Sequence, residues 1–184
     1  ASIDAREGNV YDHLEKEMRV FFHWLAHHKP VDPILKAGIA HFWFVTIHPF
    51  EDGNGRIGRA VAEKALSQTI GRPVMLSLSR TIEANKKDYY AALEKAQYSN
   101  EISSWINYFV KATVDAQIEA ERQIDFTLRK AKFFDKYKDQ LNDRQRTAIV
   151  RMMEEGPVGF EGGMNARKYI GITKSSKATA TRDM

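Results

Sequence analysis

The residues richest in chemistry stand together in this chain. His48-Pro49-Phe50-Glu51-Asp52-Gly53-Asn54-Gly55-Arg56-Ile57-Gly58-Arg59 holds an imidazole, two carboxylates, three glycines and two guanidinium groups. Gly53, Asn54 and Gly55 free the backbone to take left-handed or crowded conformations, so that successive N–H groups can converge on an anion where a helix begins. Arg56 and Arg59, three residues apart, fall on neighbouring positions of that helix and can fork onto further phosphate oxygens. Two cations imply more than one phosphate. Asp52 would be repelled by such a ligand unless a cation lay between them, and a carboxylate beside phosphates suits magnesium. His48, on a turn fixed by Pro49, precedes the cradle as a candidate general base for a hydroxyl attacking the held phosphate. The pattern predicts transfer of a phosphorus-containing group from a metal-bound nucleotide, with catalysis by positioning and charge neutralisation. Phe50 is expected to pack inward and anchor the loop.

Rival chemistries fit less well. Gly53-x-Gly55-x-x-Gly58 is formally a dinucleotide fingerprint, with His41 to Ile47 as the strand before it. That fold needs its glycines directly after the strand and an acid about 20 residues later for the ribose. Here His-Pro-Phe-Glu-Asp intervenes, Leu78 stands where the acid should be, and no repeated βαβ units follow. His23, His27 and His28 could share a helix face as metal ligands, but there is no His-Glu-x-x-His arrangement, and imidazoles at a helix C-terminus are favourable with the dipole. No Gly-x-Ser-x-Gly occurs, which removes that serine-hydrolase signature.

The elements that must position the motif read as helices. Val10, Leu14, Met18, Phe21, Phe22 and Leu25 recur at spacings of three and four, predicting an amphipathic helix over 9–26. Asp32 and Pro33 form a cap and first-turn pair for a second helix that carries Ile34, Leu35, Ile39, Phe42 and Phe44 toward His48 and is expected to be the buried centre. A third helix is expected from Asn54 until Gly71 and Pro73 stop it, a fourth over 81–97 and a fifth over 102–113. Residues 114–138 are charged with sparse apolar positions, suited to a connecting helix. Beyond them Asn142 can cap a helix through Met153. Gly156, Gly159, Gly162 and Gly163 then mark turns, and two short helices at 165–169 and 174–182 complete a helix-turn-helix outline. Trp24, Trp43 and Trp105 are expected in the core.

The 184 residues are 43% hydrophobic and 28% charged, ordinary for one globular core with a small appendage. No apolar run reaches the roughly 18 residues of a membrane span and no signal-peptide layout opens the chain, so a soluble, cytoplasmic protein is expected. The absence of cysteine excludes disulfides, thiol catalysis and thiolate-bound zinc. The net charge of +4 resides in the last twenty residues, where Arg167, Lys168, Lys174, Lys177 and Arg182 oppose only Asp183. Such a localised cationic segment suits a polyanion.

The run from His48 to Arg59 resembles the Fic-domain motif: histidine, any residue, phenylalanine, any residue, acid, glycine, asparagine, glycine, arginine, two of any kind, arginine. Every specified position is filled, and the resemblance extends over about residues 10–115. Gly55 follows the adenylyltransferase branch, where Doc-type phosphotransferases have lysine. The resemblance implies an all-α Fic helical bundle and transfer of AMP from magnesium-bound ATP to a Ser, Thr or Tyr hydroxyl of a target protein. It carries the base onto His48, the Mg2+ ligand onto Asp52, the anion hole onto Gly53, Asn54 and Gly55, and the phosphate-binding arginines onto Arg56 and Arg59. Tyr89, Tyr90 and Gln97 match a stretch near the nucleoside, with the alternative that the two tyrosines fill a helix interface. Ser2 to Gly8 comes close to the family's inhibitory helix, but Glu7 falls one residue late and the role is not carried over.

The last forty residues resemble the winged helix-turn-helix appended to some Fic proteins, with 174–182 as the recognition helix and Lys174, Lys177 and Arg182 as candidate DNA contacts. The expected organisation is therefore a Fic core over 1–115, a connecting helix over 116–138 and a partial winged helix over 139–184. A DNA-binding regulator whose nucleotide site senses rather than reacts is the alternative. Transfer from another nucleotide or phosphorylated donor is a third reading, and a second copy of the chain is a further candidate partner.

Overall fold

The computed structural model describes residues 4–29, 32–74, 76–99 and 101–184, with side chains from residue 12 onward. The near match at Ser2 to Gly8 therefore falls outside the described side chains. Among the described residues the regular structure is entirely helical: α1 (Asp4–His27), α2 (Pro33–Ile47), α3 (Asn54–Ile70), α4 (Leu78–Ala84), α5 (Lys86–Gln97), α6 (Ser103–Tyr137), α7 (Asp143–Met153), α8 (Ala166–Thr173) and α9 (Lys177–Asp183). This agrees with the all-α expectation. None of these helices is long and apolar enough to cross a membrane. The chain divides into two compact units, 1–118 and 119–184.

In the first unit α2 is the central element. Asp32 Oδ1 accepts from the N–H groups of Ile34 and Leu35 at 2.7 and 3.0 Å, with Pro33 opening the helix. Its buried face runs through Ala37, Gly38, Ala40, His41, Phe44 and Val45. Small residues on that face let α3 approach closely, and Ala62 and Ala65 of α3 are likewise fully buried. Gly58 marks the tightest approach, because a Cβ there would stand 2.9 Å from Val45 Cγ1. From α6, Trp105 stacks on the His41 ring at 5.2 Å and its indole N–H donates to the Gly38 carbonyl at 2.9 Å. From α1, Phe21 and Leu25 enter the same core. Phe22 does not, being half exposed, so the stripe on α1 is narrower than its apolar residues suggest. The Lys36 ammonium, on a buried stem, caps the end of α1 by donating to the His28 carbonyl at 2.9 Å.

Two helix boundaries differ from expectation. The stretch expected as one helix over 81–97 is two, because Asn85 takes φ −125° and ψ 40° between α4 and α5. Its amide donates back to the Thr81 carbonyl, an instance of short polar side chains competing with the helical ladder. The fifth helix and the connecting stretch are instead one helix, α6, of 35 residues. It contains no glycine or proline, and spaced pairs such as Asp125 with Arg129 at 2.8 Å support its charged half.

The second unit has a much smaller core of Ala148, Tyr169 and Ala180, with Met164 and Ile170 against it. Asn142 and Gln145 form a reciprocal capping box at the start of α7. The final helix starts at Lys177 under a Ser176 cap rather than at Lys174, which closes α8 in the left-handed region at φ 55°. Asp183 ties the unit together. It accepts from Arg144 Nε at 2.7 Å, from the Tyr169 hydroxyl at 3.0 Å and from the Asn142 amide at 3.3 Å. No strand lies among the described residues of this unit, which shows the three helices α7 to α9.

Candidate active site

The motif forms the turn from α2 into the first helical turns of α3. His48 ends α2 in the left-handed region, φ 54° and ψ 55°, with its N–H bonded to the Phe44 carbonyl. Gly53, at φ 87°, starts α3. A conformation that disfavours side chains thus falls on a glycine immediately before the helix, whose first N–H groups have no partner within it. The left-handed positions are His48 and Gly53; Asn54 and Gly55 are already helical, unlike the sequence expectation.

Asn54 has a different task. Its buried amide oxygen accepts from the Phe50 N–H at 3.0 Å while its amide nitrogen donates to the Phe50 carbonyl. The loop is therefore pinned by backbone bonds to Asn54. Phe50 is 48% exposed and only edges onto Phe44, which corrects the expectation that its ring anchors the loop.

A cavity of about 460 Å³ opens over this turn, lined by His48, Glu51, Asp52, Gly53, Asn54, Gly55, Arg56 and Arg59, and on its far side by Ile82, Glu83, Lys86, Tyr89 and Tyr90. Arg56 is exposed and pairs with Asp52 Oδ2 at 3.1 Å, while Asp52 Oδ1 accepts from the Gly53 N–H. Arg59 is aimed from behind: its Nε–H donates to the Ser79 hydroxyl at 2.9 Å. A Cβ placed on Gly55 would lie 3.5 Å from Arg59 Nη1, so that guanidinium passes over the first turn of α3. Ser79 is in turn held by the start of α4, where Ser77 caps the helix and the Glu63 carboxylate accepts from the Leu78 N–H at 3.0 Å.

Behind the cavity Tyr89 is buried, with its hydroxyl 3.1 Å from His41 Nε2. Burial pushes the phenol up to about 12, against the opposing charge of Arg59. Burial also pulls His41 down to about 4, and the Arg59 charge acts in the same direction. The pair is therefore neutral near pH 7, and the positive charge in this corner belongs to Arg59.

Of the residues singled out from sequence, His48, Asp52, Gly53, Asn54, Gly55, Arg56, Arg59, Tyr89 and Tyr90 line this one cavity. Gln97 does not; it is exposed at the last turn of α5. The two tyrosines divide the alternatives between them, since Tyr89 both fills the core and reaches the cavity while Tyr90 is 55% exposed. Lys174, Lys177 and Arg182 are exposed in the second unit. His41, Ser79, Glu83 and Lys86 were not anticipated. His41 stands on the buried face of α2 and reads as a core histidine, whereas no local pattern marks Ser79 as the partner of an arginine twenty residues earlier.

Fold and site together define an all-helical domain in which a helix-opening turn, two arginines and a histidine share one cavity. Residues 9–66 match the Fic/DOC family. The chain is 33% identical over 114 residues to a protein adenylyltransferase Fic of Nematostella vectensis, covering 61% of this chain and 24% of that protein. It is 33% identical over 81 residues to the protein adenylyltransferase fic-1 of Caenorhabditis elegans, covering 44% of this chain and 15% of that one. The chain thus spans a quarter or less of these curated relatives. In fold it is similar to the crystal structure of a Fic family protein from Desulfovibrio desulfuricans G20, with a TM-score of 0.54 and 23% identity over 93% of this chain and 46% of that one. These likenesses support the Fic family for the unit that carries the turn.

Proposed function

We propose that the first unit catalyses protein adenylylation, moving AMP from ATP to a Ser, Thr or Tyr hydroxyl of a target protein. The observation that supports this reading is the convergence of one imidazole, the N-terminal turn of α3 and two guanidinium groups on a single cavity. In that reading the N–H groups after Gly53 take phosphate oxygens, and Arg56 and Arg59 neutralise the charge on the departing pyrophosphate. The acceptor oxygen attacks the α-phosphorus, its proton passes to the His48 imidazole, and the bond to the β-phosphate oxygen breaks. The relatives named above are protein adenylyltransferases by name, which favours AMP over other groups.

Among the described residues no group of three or more His, Asp or Glu side chains could hold a metal by protein ligands alone. Asp52 fits a magnesium ion that arrives with the nucleotide, because magnesium is commonly held by one or two carboxylates with phosphates completing its shell. Such an ion supplies charge neutralisation at the phosphates. The Asp52 to Arg56 pair, both partners largely exposed, is then free to open as the carboxylate turns to the ion.

In the second unit Lys174, Lys177 and Arg182 are all exposed, as contact with a polyanion such as duplex DNA would require. That is a separate proposal for those residues and no part of the transfer reaction.

His48→Ala tests the reading. With ATP labelled at the α-phosphate, label incorporation into protein from a cell extract is expected to fall by roughly 10²–10⁴-fold, the range for loss of a general base, while ATP binding persists. Unchanged incorporation would remove His48 from the reaction, and competition by UTP or GTP equal to that of ATP would remove the choice of donor.

A further inference from the structure

The imidazole of His48 is shared by two cavities. The first is the polar one over the α3 turn. The second, also about 460 Å³, is lined by His13, Leu14 and Glu17 of α1 and by Trp43, Thr46 and Ile47 of α2, with His48 the residue common to both. Apart from His48, the described lining of this second cavity takes nothing from the turn, α3, α4 or α5. Its volume is that of a pocket for a few side chains rather than a face for a whole domain.

The two linings differ in kind. The first carries Arg56, Arg59, Lys86 and Asp52, as a polyphosphate and its cation would demand. The second offers the half-buried surfaces of Leu14, Trp43 and Ile47, with Glu17 and His13 one helical turn apart on α1 and no arginine or lysine among its described lining residues. Such a lining repels phosphate and accepts an apolar side chain with a cation nearby. Trp43 is held from behind by edge contact with Phe21 at 5.5 Å and by Trp24, so the apolar surface is preformed.

In-line displacement at phosphorus puts the attacking and leaving oxygens on opposite sides. If the α3 turn and its arginines hold the leaving pyrophosphate, the hydroxyl must reach the imidazole from a side that the turn does not line. The second cavity is such a side. Resting on the adenylylation reading above, we propose that the acceptor enters here: a polypeptide segment whose hydroxyl residue meets His48, with an adjacent aliphatic or aromatic side chain against Leu14, Trp43 and Ile47 and a Lys or Arg facing Glu17. The α1–α2 cavity then sets acceptor selectivity, and the turn sets donor selectivity.

The test uses short peptides with a central Tyr, Thr or Ser, flanked by Leu or Gly on one side and by Lys or Glu on the other, with ATP labelled at the α-phosphate. Wild type is expected to favour the Leu-bearing and Lys-bearing peptides. Glu17→Lys should move the Lys-over-Glu preference toward Glu by on the order of five-fold, the scale of an exposed ion pair. Leu14→Ser should reduce the Leu-over-Gly preference by on the order of ten-fold, the scale of losing most of a buried leucine side chain. In both variants the Kd for magnesium-bound ATP should be unchanged. Preferences unaltered in both variants would overturn the proposal while leaving the adenylylation reading intact. Labelling that survives His48→Ala would instead overturn that reading.

A second measurement needs no variant. The Trp43 indole N–H resonance of the wild-type chain should shift on adding the Leu- and Lys-bearing peptide and stay fixed on adding magnesium-bound ATP. The reverse pattern would assign the second cavity to the nucleotide and contradict the proposal.

Discussion

The two units are held together by different physics. In the first, Phe21, Phe44, Trp105 and Phe109 are almost wholly buried, and a net of ring contacts runs from α1 through α2 to α6. In the second only Ala148, Tyr169 and Ala180 are buried, and one carboxylate, Asp183, collects the hydrogen bonds that join α7, α8 and α9. The unit bearing the candidate chemistry rests on apolar packing around one buried imidazole, His41. The other rests chiefly on a single carboxylate.

Trp105→Ala should produce the largest effect and confine it to the first unit. It removes the ring that stacks on His41 and the donor to the Gly38 carbonyl, so a loss of about 3–5 kcal/mol is expected from denaturant titration. Fluorescence of the remaining tryptophans and exchange of α2 amides should report it, whereas α7 amides should keep their protection. Loss of protection in both units together would show that the contrast between them is false.

Acid should separate the units further. His41 titrates at about 4 in the folded chain against an ordinary 6.5, so between those values the unfolded chain binds more protons. The first unit therefore loses stability as pH falls through that window, by at most about 3 kcal/mol, and His41→Gln should flatten the slope. Asp183 acts lower and more weakly. Its hydrogen bond with Arg144, foremost, holds it at about 2 against an ordinary 3.8. Its contribution is fully present above the unfolded value and disappears as pH falls through about 2. Asp183→Asn should remove that dependence and shift only the second unit, followed by exchange of α7 and α9 amides. An acid slope in the second unit unchanged by this variant would assign its stability to the small apolar core instead.

The helical class, the centre of the bundle at α2 and the place of the turn were legible because each has a local cause. Asp32 with Pro33, Gly71 and Asn142 all cap where their types and spacing allow, and Phe44 of α2 points inward, although small residues make up most of that buried face while Ile34, Ile39 and Phe42 are half-buried and Leu35 is exposed. The break at Asn85 and the continuity of α6 were not legible, since both depend on competition between local bonding and packing that leaves no periodic mark. At the site, the motif states which groups gather but not how they are held. The Asn54 clamp on Phe50, the half-exposed Phe50 ring and the Ser79 bond that aims Arg59 all require partners brought together by folding. His41 illustrates the limit most plainly: on α2 it reads as one more core position, and its link to the cavity runs through Tyr89, 48 residues away in sequence.

In the proposed reaction the first turn of α3 grips the phosphates of a nucleotide beside His48. Amide resonances followed during titration of the wild-type chain with magnesium-bound ATP test it most directly. Saturable shifts are expected at Gly53, Asn54, Gly55 and Arg56, with affinity reduced roughly ten-fold or more by Arg59→Ala, the scale of one charge-assisted hydrogen bond. Shifts that bypass this turn, or an affinity indifferent to Arg59, would contradict it.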